Sequence, residues 1–167
     1  MFELTKNDEV NRLIAVTKSN SGVSGPKLAE AHLELGRLLG SQLTDFDPAD
    51  TTIVAMLRGG IFFAEGMYFE MNCKFQIYDP KHEVFKRPGT TNVILVDSVI
   101  NTGRTMLDVL DQDMYVACCV INEDAVPKFA DRLFTVRISS NSFVGKNVRK
   151  QEGKVGPDTT MRLFNQI

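Results

Sequence analysis

The stretch "ILVDSVINTGRTM", residues 94 to 106, holds the side chains of this sequence with the widest chemical reach. An apolar run closes on Asp97, crosses Ser98, Val99 and Ile100, and opens into Asn101-Thr102-Gly103-Arg104-Thr105. Core packing asks for none of these polar residues. An acid that closes a strand can hold sugar hydroxyls or a metal-bound water. Free amides at a helix N-terminus, beside hydroxyls and a glycine that lets a ligand near the backbone, make a phosphate cradle. The spacing is not that of the Gly-x-x-x-x-Gly-Lys-Ser/Thr loop. A plainer reading stays open beside it: Thr102 caps the helix and Asp97 is a solvated strand end.

A second candidate is Leu57-Arg58-Gly59-Gly60. Two glycines permit backbone conformations closed to other residues, so successive amides can converge on a diphosphate. Arg58 adds a fork of donors that suits phosphate. The alternative is a tight strand-to-helix turn, for which one glycine suffices. "DPKHEVFKRPGTT" (79–91) carries Lys81, His82, Lys86 and Arg87 in an irregular stretch, and a solvated basic loop explains each of them equally well. His32 falls within an apolar helical pattern and reads as structural. Cys73, Cys118 and Cys119 are odd in number and lie in apolar runs, which points to buried free thiols and a reducing compartment.

These residues need elements to position them. The spacing predicts helices over 7–17, 26–39, 61–71, 103–111 and 125–130, and strands over 51–57, 73–78, 92–97, 114–121 and 132–138. Strands that are unbroken apolar runs, alternating with helices, imply a parallel sheet covered on both faces. Ligands of such sheets sit beyond the carboxyl ends of the strands. Arg58, Asp79 and Asp97 all follow strands at that end. The chain of 167 residues, 43% hydrophobic, fits one domain spanning 1–167. Its net charge of −2 supplies no global field for nucleic acid or an anionic membrane. No apolar run approaches the roughly 20 residues that span a bilayer. The N-terminus lacks the apolar core of a signal peptide, so a cytoplasmic location is expected.

The 94–106 cluster resembles the phosphoribosyl pyrophosphate motif of type I phosphoribosyltransferases: four apolar residues, an acid or acid pair, two apolar residues, then a Thr-Gly-x-Ser/Thr loop. Asp97-Ser98 stands where many members have two acids. "MLRGGIFFAEG" (56–66) and "GPDTTMRLFN" (156–165) are similar to segments of the uracil branch, where the second acid is also lost. Asn101 is polar where that branch has alanine and purine enzymes have aspartate. Pro157 stands where the branch has glycine and offers no N–H. Thr160-Met161 replaces its second Gly-Asp, while Asp158, Arg162 and Phe164 match.

The resemblance implies an α/β, type I phosphoribosyltransferase-like fold: a central parallel sheet of about five strands flanked by helices, with a small C-terminal hood. It implies transfer of the phosphoribosyl group to uracil, giving UMP and diphosphate in nucleobase salvage. Arg58, Gly59 and Gly60 would meet the diphosphate. Asp97, beside Ser98, would hold ribose hydroxyls, with Asp97 and Arg58 as the catalytic pair. Asn101, Thr102, Gly103, Arg104 and Thr105 would hold the 5′-phosphate. Val155, Gly156, Asp158 and Thr159 would meet the base. Magnesium would be held through the phosphoribosyl pyrophosphate, with no dedicated protein cage. The partners would be these small molecules and a second copy of the chain in a dimer, with neither membrane nor nucleic acid. A purine-salvage enzyme and a non-catalytic nucleotide sensor on the same fold are the alternatives.

Overall fold

A computed structural model describes residues 1–167. Strands β1 (Phe2–Glu3), β2 (Thr51–Met56), β3 (Lys74–Tyr78), β4 (Asn92–Ile100), β5 (Tyr115–Asn122) and β6 (Leu133–Ser139) form one sheet. Its order is β1-β6-β5-β4-β2-β3, and every pairing in it is parallel. All six residues of β2 are buried, as a central strand covered on both faces requires.

Helices α1 (Asp8–Thr17), α2 (Pro26–Gly40) and α3 (Ile61–Met71) cover one face. Asn7 starts α1 by accepting the Val10 amide at 2.9 Å, and Pro26 opens α2 with its φ already helical. Their apolar stripes meet alternate residues of the sheet, such as Ile53, Ile94 and Ala117. The other face buries Val54, Leu95 and Val116 beneath the short α4 (Arg104–Leu107) and the segment around Phe129. Helices α2 and α3 cross so closely that a Cβ on Gly66 would lie 1.9 Å from the Leu33 carbonyl oxygen. One on Gly36 would lie 2.1 Å from that of Phe63.

The sheet has six strands rather than about five, because Phe2–Glu3 pairs with Phe134 and Thr135. Two residues carry no periodicity for a sequence to display. β4 runs three residues past Asp97, to Ile100. The helix expected over 103–111 is only Arg104–Leu107, and the one over 125–130 is a 3-10 turn, Glu123–Lys128, with Pro127 inside it. That proline removes a donor an α-helix would need. The C-terminal hood is a two-stranded parallel pair, β7 (Val144–Lys146) and β8 (Val155–Pro157), leading into α5 (Thr159–Leu163).

Candidate functional site

The carboxyl ends of β2 and β4 meet at Gly60. A Cβ there would lie 2.4 Å from the Val96 carbonyl oxygen and 2.8 Å from that of Met56, so only glycine fits. The Leu57–Arg58 peptide just before it is cis. Ser98 Oγ donates to the Gly59 carbonyl at 2.5 Å, so the residue beside the acid fastens one loop to the other. The pairing across β4, β5 and β6 runs Asp97–Cys118–Thr135 and then Val99–Val120–Arg137, skipping Ser98, Cys119 and Val136. Val96 packs in one core and Ile100 in the other, although an even spacing should keep them on one face. The alternation therefore slips at the level of Asp97, where the sheet turns from packing to lining a cleft.

Asp97 Oδ1 accepts the Ser98 amide at 2.7 Å. The backbone of Gly59 and the hydroxyl of Thr160 crowd it: a Cβ at Gly59 would be 3.1 Å from Asp97 Oδ1 and 3.0 Å from Thr160 Oγ1. Burial pushes the Asp97 carboxyl up to about 7. The amides of Ser98 and Val99 pull against that rise, and the charge of Asp158 adds to it. The result is an acid at the turning point of its charge near neutrality.

Beyond β4, Gly103 turns with φ +77°, and a Cβ on it would strike the Phe129 ring at 2.8 Å. The amides of Thr105 and Met106 donate to no turn or cap carbonyl, so they are available to a ligand. Asn101 and Thr105 line the cleft. Thr102 and Arg104 are exposed beside it, and the Thr102 carbonyl accepts from Lys128 Nζ at 2.6 Å. Asn101 Nδ2 reaches the Phe143 carbonyl at 3.3 Å, tying this loop to the hood.

In the hood, Asp158 caps α5 by accepting the Met161 amide at 2.8 Å, while its own amide donates to the Lys146 carbonyl at 3.0 Å. Asp158 and Thr159 line the cleft; Val155 and Gly156 are engaged in β8 and do not. Pro157 is buried in the same strand, also off the cleft wall. Arg162 is buried and fully used: its guanidinium donates to the carbonyls of Thr17, Lys18 and Val23 and to Ser21 Oγ. The Arg58 guanidinium lies 5.4 Å from the centroid of the Phe164 ring. The C-terminal segment thus holds both the loop after α1 and the loop after β2.

Of the basic residues in 79–91, Lys81 and His82 line the cleft. Arg87 does not; it is paired with Asp113 through two bonds of 2.7 Å. Sequence reasoning missed Thr160, and it missed the inner wall of the cleft, formed by His32, Cys119 and Arg137. A charged residue inside the apolar run "LFTVRIS" was the available signal for Arg137. Burial pushes the Cys119 thiol up to about 11, which leaves it a poor nucleophile. The whole cleft encloses about 630 Å³, the size of a nucleotide site.

No protein-family model matches the sequence, and neither does any curated protein. Solved structures do match in three dimensions. The AQ2163 protein of Aquifex aeolicus superposes with a TM-score of 0.65 at 13% identity, over 83% of this chain and 87% of that one. A hypoxanthine-guanine phosphoribosyltransferase of Bacillus anthracis gives 0.51 at 16% identity, over 69% and 80%. The fold is that of the type I phosphoribosyltransferases. A hypoxanthine phosphoribosyltransferase of Staphylococcus aureus agrees, with a TM-score of 0.50 at 15% identity over 70% and 77%.

Proposed function

We propose that this chain transfers the 5-phosphoribosyl group of phosphoribosyl pyrophosphate to uracil, forming UMP and diphosphate in base salvage. One observation carries the proposal. Arg58 and Gly59 on one side and Asn101 and Thr105 on the other flank Asp97 along a single cleft on a phosphoribosyltransferase fold, and the Thr105 and Met106 amides donate to no turn or cap carbonyl. That spacing of two anion sites about one acid suits a ribose with phosphate at one end and diphosphate at the other.

In the reaction the C1′–O bond to diphosphate breaks, a C1′–N bond to the base forms, and the base gives up its N–H proton to the departing diphosphate. The transition state carries positive charge on the ribosyl ring. Asp97 stabilises that charge and orients the ring hydroxyls. Arg58 and Gly59 receive the departing diphosphate, and the amides of Thr105 and Met106 fix the 5′-phosphate; Gly60, whose amide donates to the Met56 carbonyl at 2.9 Å, shapes the turn instead. Lys81 and His82 close the basic side of the cleft. Asp97 and Asp158 repel one another across the cleft, a pair that suits a cation between them. They would face a magnesium ion carried on the diphosphate, where it supplies charge neutralisation.

Hypoxanthine or a related purine is the second reading. Solved structures with this fold are named as hypoxanthine phosphoribosyltransferases, and Asn101 departs from the uracil pattern toward a polar residue. Initial rates of diphosphate release with uracil and with hypoxanthine, at equal concentration, decide between the two acceptors. Faster release with hypoxanthine would overturn the uracil assignment.

A further inference from the structure

The inner wall of the cleft contains an arginine with nothing to do. Arg137 leaves β6 toward the cleft, its Nε is fully enclosed, and no protein atom accepts a hydrogen bond from it. No carboxylate pairs with it in the structure. Arg137 itself is half-buried: its enclosed Nε has no acceptor, and its terminal nitrogens, which also bond no protein atom, are the donors left for the cleft. Arg162, the other arginine on this wall, shows the contrast, with its donors spent on carbonyls at the end of α1 and in the loop after it.

Beside Arg137 stands His32, buried on α2, with Nδ1 2.9 Å from the Leu28 carbonyl oxygen. A carbonyl accepts only, so Nδ1 carries the proton and donates. Burial, helped by the positive charges of Arg162 and Arg137 and opposed by the Leu28 hydrogen bond, lowers the imidazole to about 4, so the ring is neutral near pH 7. Nε2 is then a bare acceptor with no partner in the protein, on a ring that lines the cleft. The wall therefore presents donors from Arg137 and one acceptor from His32.

Resting on the phosphoribosyl reading of the cleft, we infer that Arg137 and His32 read the lactam edge of the acceptor base, a ring N–H adjacent to a ring carbonyl. The carbonyl accepts from Arg137 and the N–H donates to His32 Nε2. Uracil and hypoxanthine carry that edge. Cytosine and adenine place an amino donor and a bare ring nitrogen there, facing a donor and an acceptor of their own kind. A carboxylate-bearing base fits less well, since His32 would face an anion with a lone pair. The position is also right for a base. Arg137 is two strands from Asp97, a lateral distance of roughly 10 Å at the usual strand spacing. It is one pairing row farther along, as the Asp97–Cys118 and Val120–Arg137 pairs show. A ribose joined to a base ring spans about that distance.

The test is equilibrium binding of UMP, CMP, IMP and AMP to the full chain and to its Arg137→Gln and Arg137→Lys variants, with phosphoribosyl pyrophosphate titrated in parallel. Expected for the unaltered chain is at least tenfold tighter binding of UMP over CMP and of IMP over AMP. Arg137→Gln should erase both ratios while keeping the affinity for phosphoribosyl pyrophosphate, and Arg137→Lys should restore part of them. The His32 Nε2 nitrogen-15 resonance should shift with UMP and not with phosphoribosyl pyrophosphate. Equal binding of the four nucleotides, or of none, overturns the assignment. So does a loss of phosphoribosyl pyrophosphate affinity in Arg137→Gln, which would make this wall a phosphate site. If the ratios hold while phosphoribosyl pyrophosphate neither binds nor turns over, the base edge stands and the transferase reading fails.

Discussion

At the scale of single residues, the proposed transfer rests most heavily on Asp97. Asp97→Asn keeps the acceptor for the Ser98 amide and removes the charge. Transfer should fall on the order of 10²-fold, with the fold intact by circular dichroism. The pH dependence follows from the raised carboxyl. Folded Asp97 holds its proton up to about 7, whereas the unfolded residue releases it near the ordinary carboxylate range. Its contribution to stability is therefore full in acid and is lost as pH rises through about 7. Denaturation midpoints of the unaltered chain should fall from pH 5 to pH 8 more than those of Asp97→Asn. An identical fall in both would remove burial as the cause of the shift. Arg162 makes a different claim. Five hydrogen bonds join it to Thr17 at the end of α1 and to three residues of the loop that follows, so Arg162→Ala should cost roughly 3 kcal/mol in a urea titration. An unchanged midpoint would show that this clamp is redundant.

At the scale of elements, the crossing of α2 and α3 is the tightest joint in the fold. Gly66→Ala would place a methyl within 1.9 Å of the Leu33 carbonyl oxygen, a backbone atom that yields only if the helices part. The expected loss is about 2 kcal/mol or more, read from thermal unfolding. A glycine-to-alanine change in an open helix would instead raise stability. Most of these elements were legible in the sequence. Continuous apolar runs marked the five longer strands, and 3.6-residue spacing marked α1 and α2, because burial on one or two faces imposes those patterns. The rest depended on distant partners. β1 exists only through its ladder with β6, and β4 outlasts its apolar run because β5 pairs with it to Ile100. α4 is short since its turn is set by Gly103 against Phe129 rather than by its own periodicity. At the cleft, Arg58-Gly59, Asp97, Asn101 and Thr105 stood out in the sequence as polar or glycine residues closing apolar runs. Arg137 and His32 did not, since only the folded chain brings a strand residue and a helix residue to one wall.

At the scale of the whole molecule, the sheet divides the interior into two cores, and the cleft opens where the strand alternation slips. Cys118 and Cys119 lie inside, with both thiols pushed up by burial, whereas Cys73 is only half-buried. A thiol reagent at neutral pH should modify Cys73 first and reach the other two of the three cysteines only on unfolding. Fast labelling of all three would mean that the sheet opens readily. No helix is long and apolar enough to cross a membrane. The central claim is that the rim between β2 and β4 transfers a phosphoribosyl group. The most direct measurement is nucleotide formation when the purified chain meets phosphoribosyl pyrophosphate, magnesium and a panel of free bases, followed by mass spectrometry. The account predicts a nucleoside 5′-monophosphate, UMP foremost, formed in step with diphosphate and abolished by Asp97→Asn. A chain that yields no nucleotide with any base, or yields it equally well without Asp97, would contradict the account.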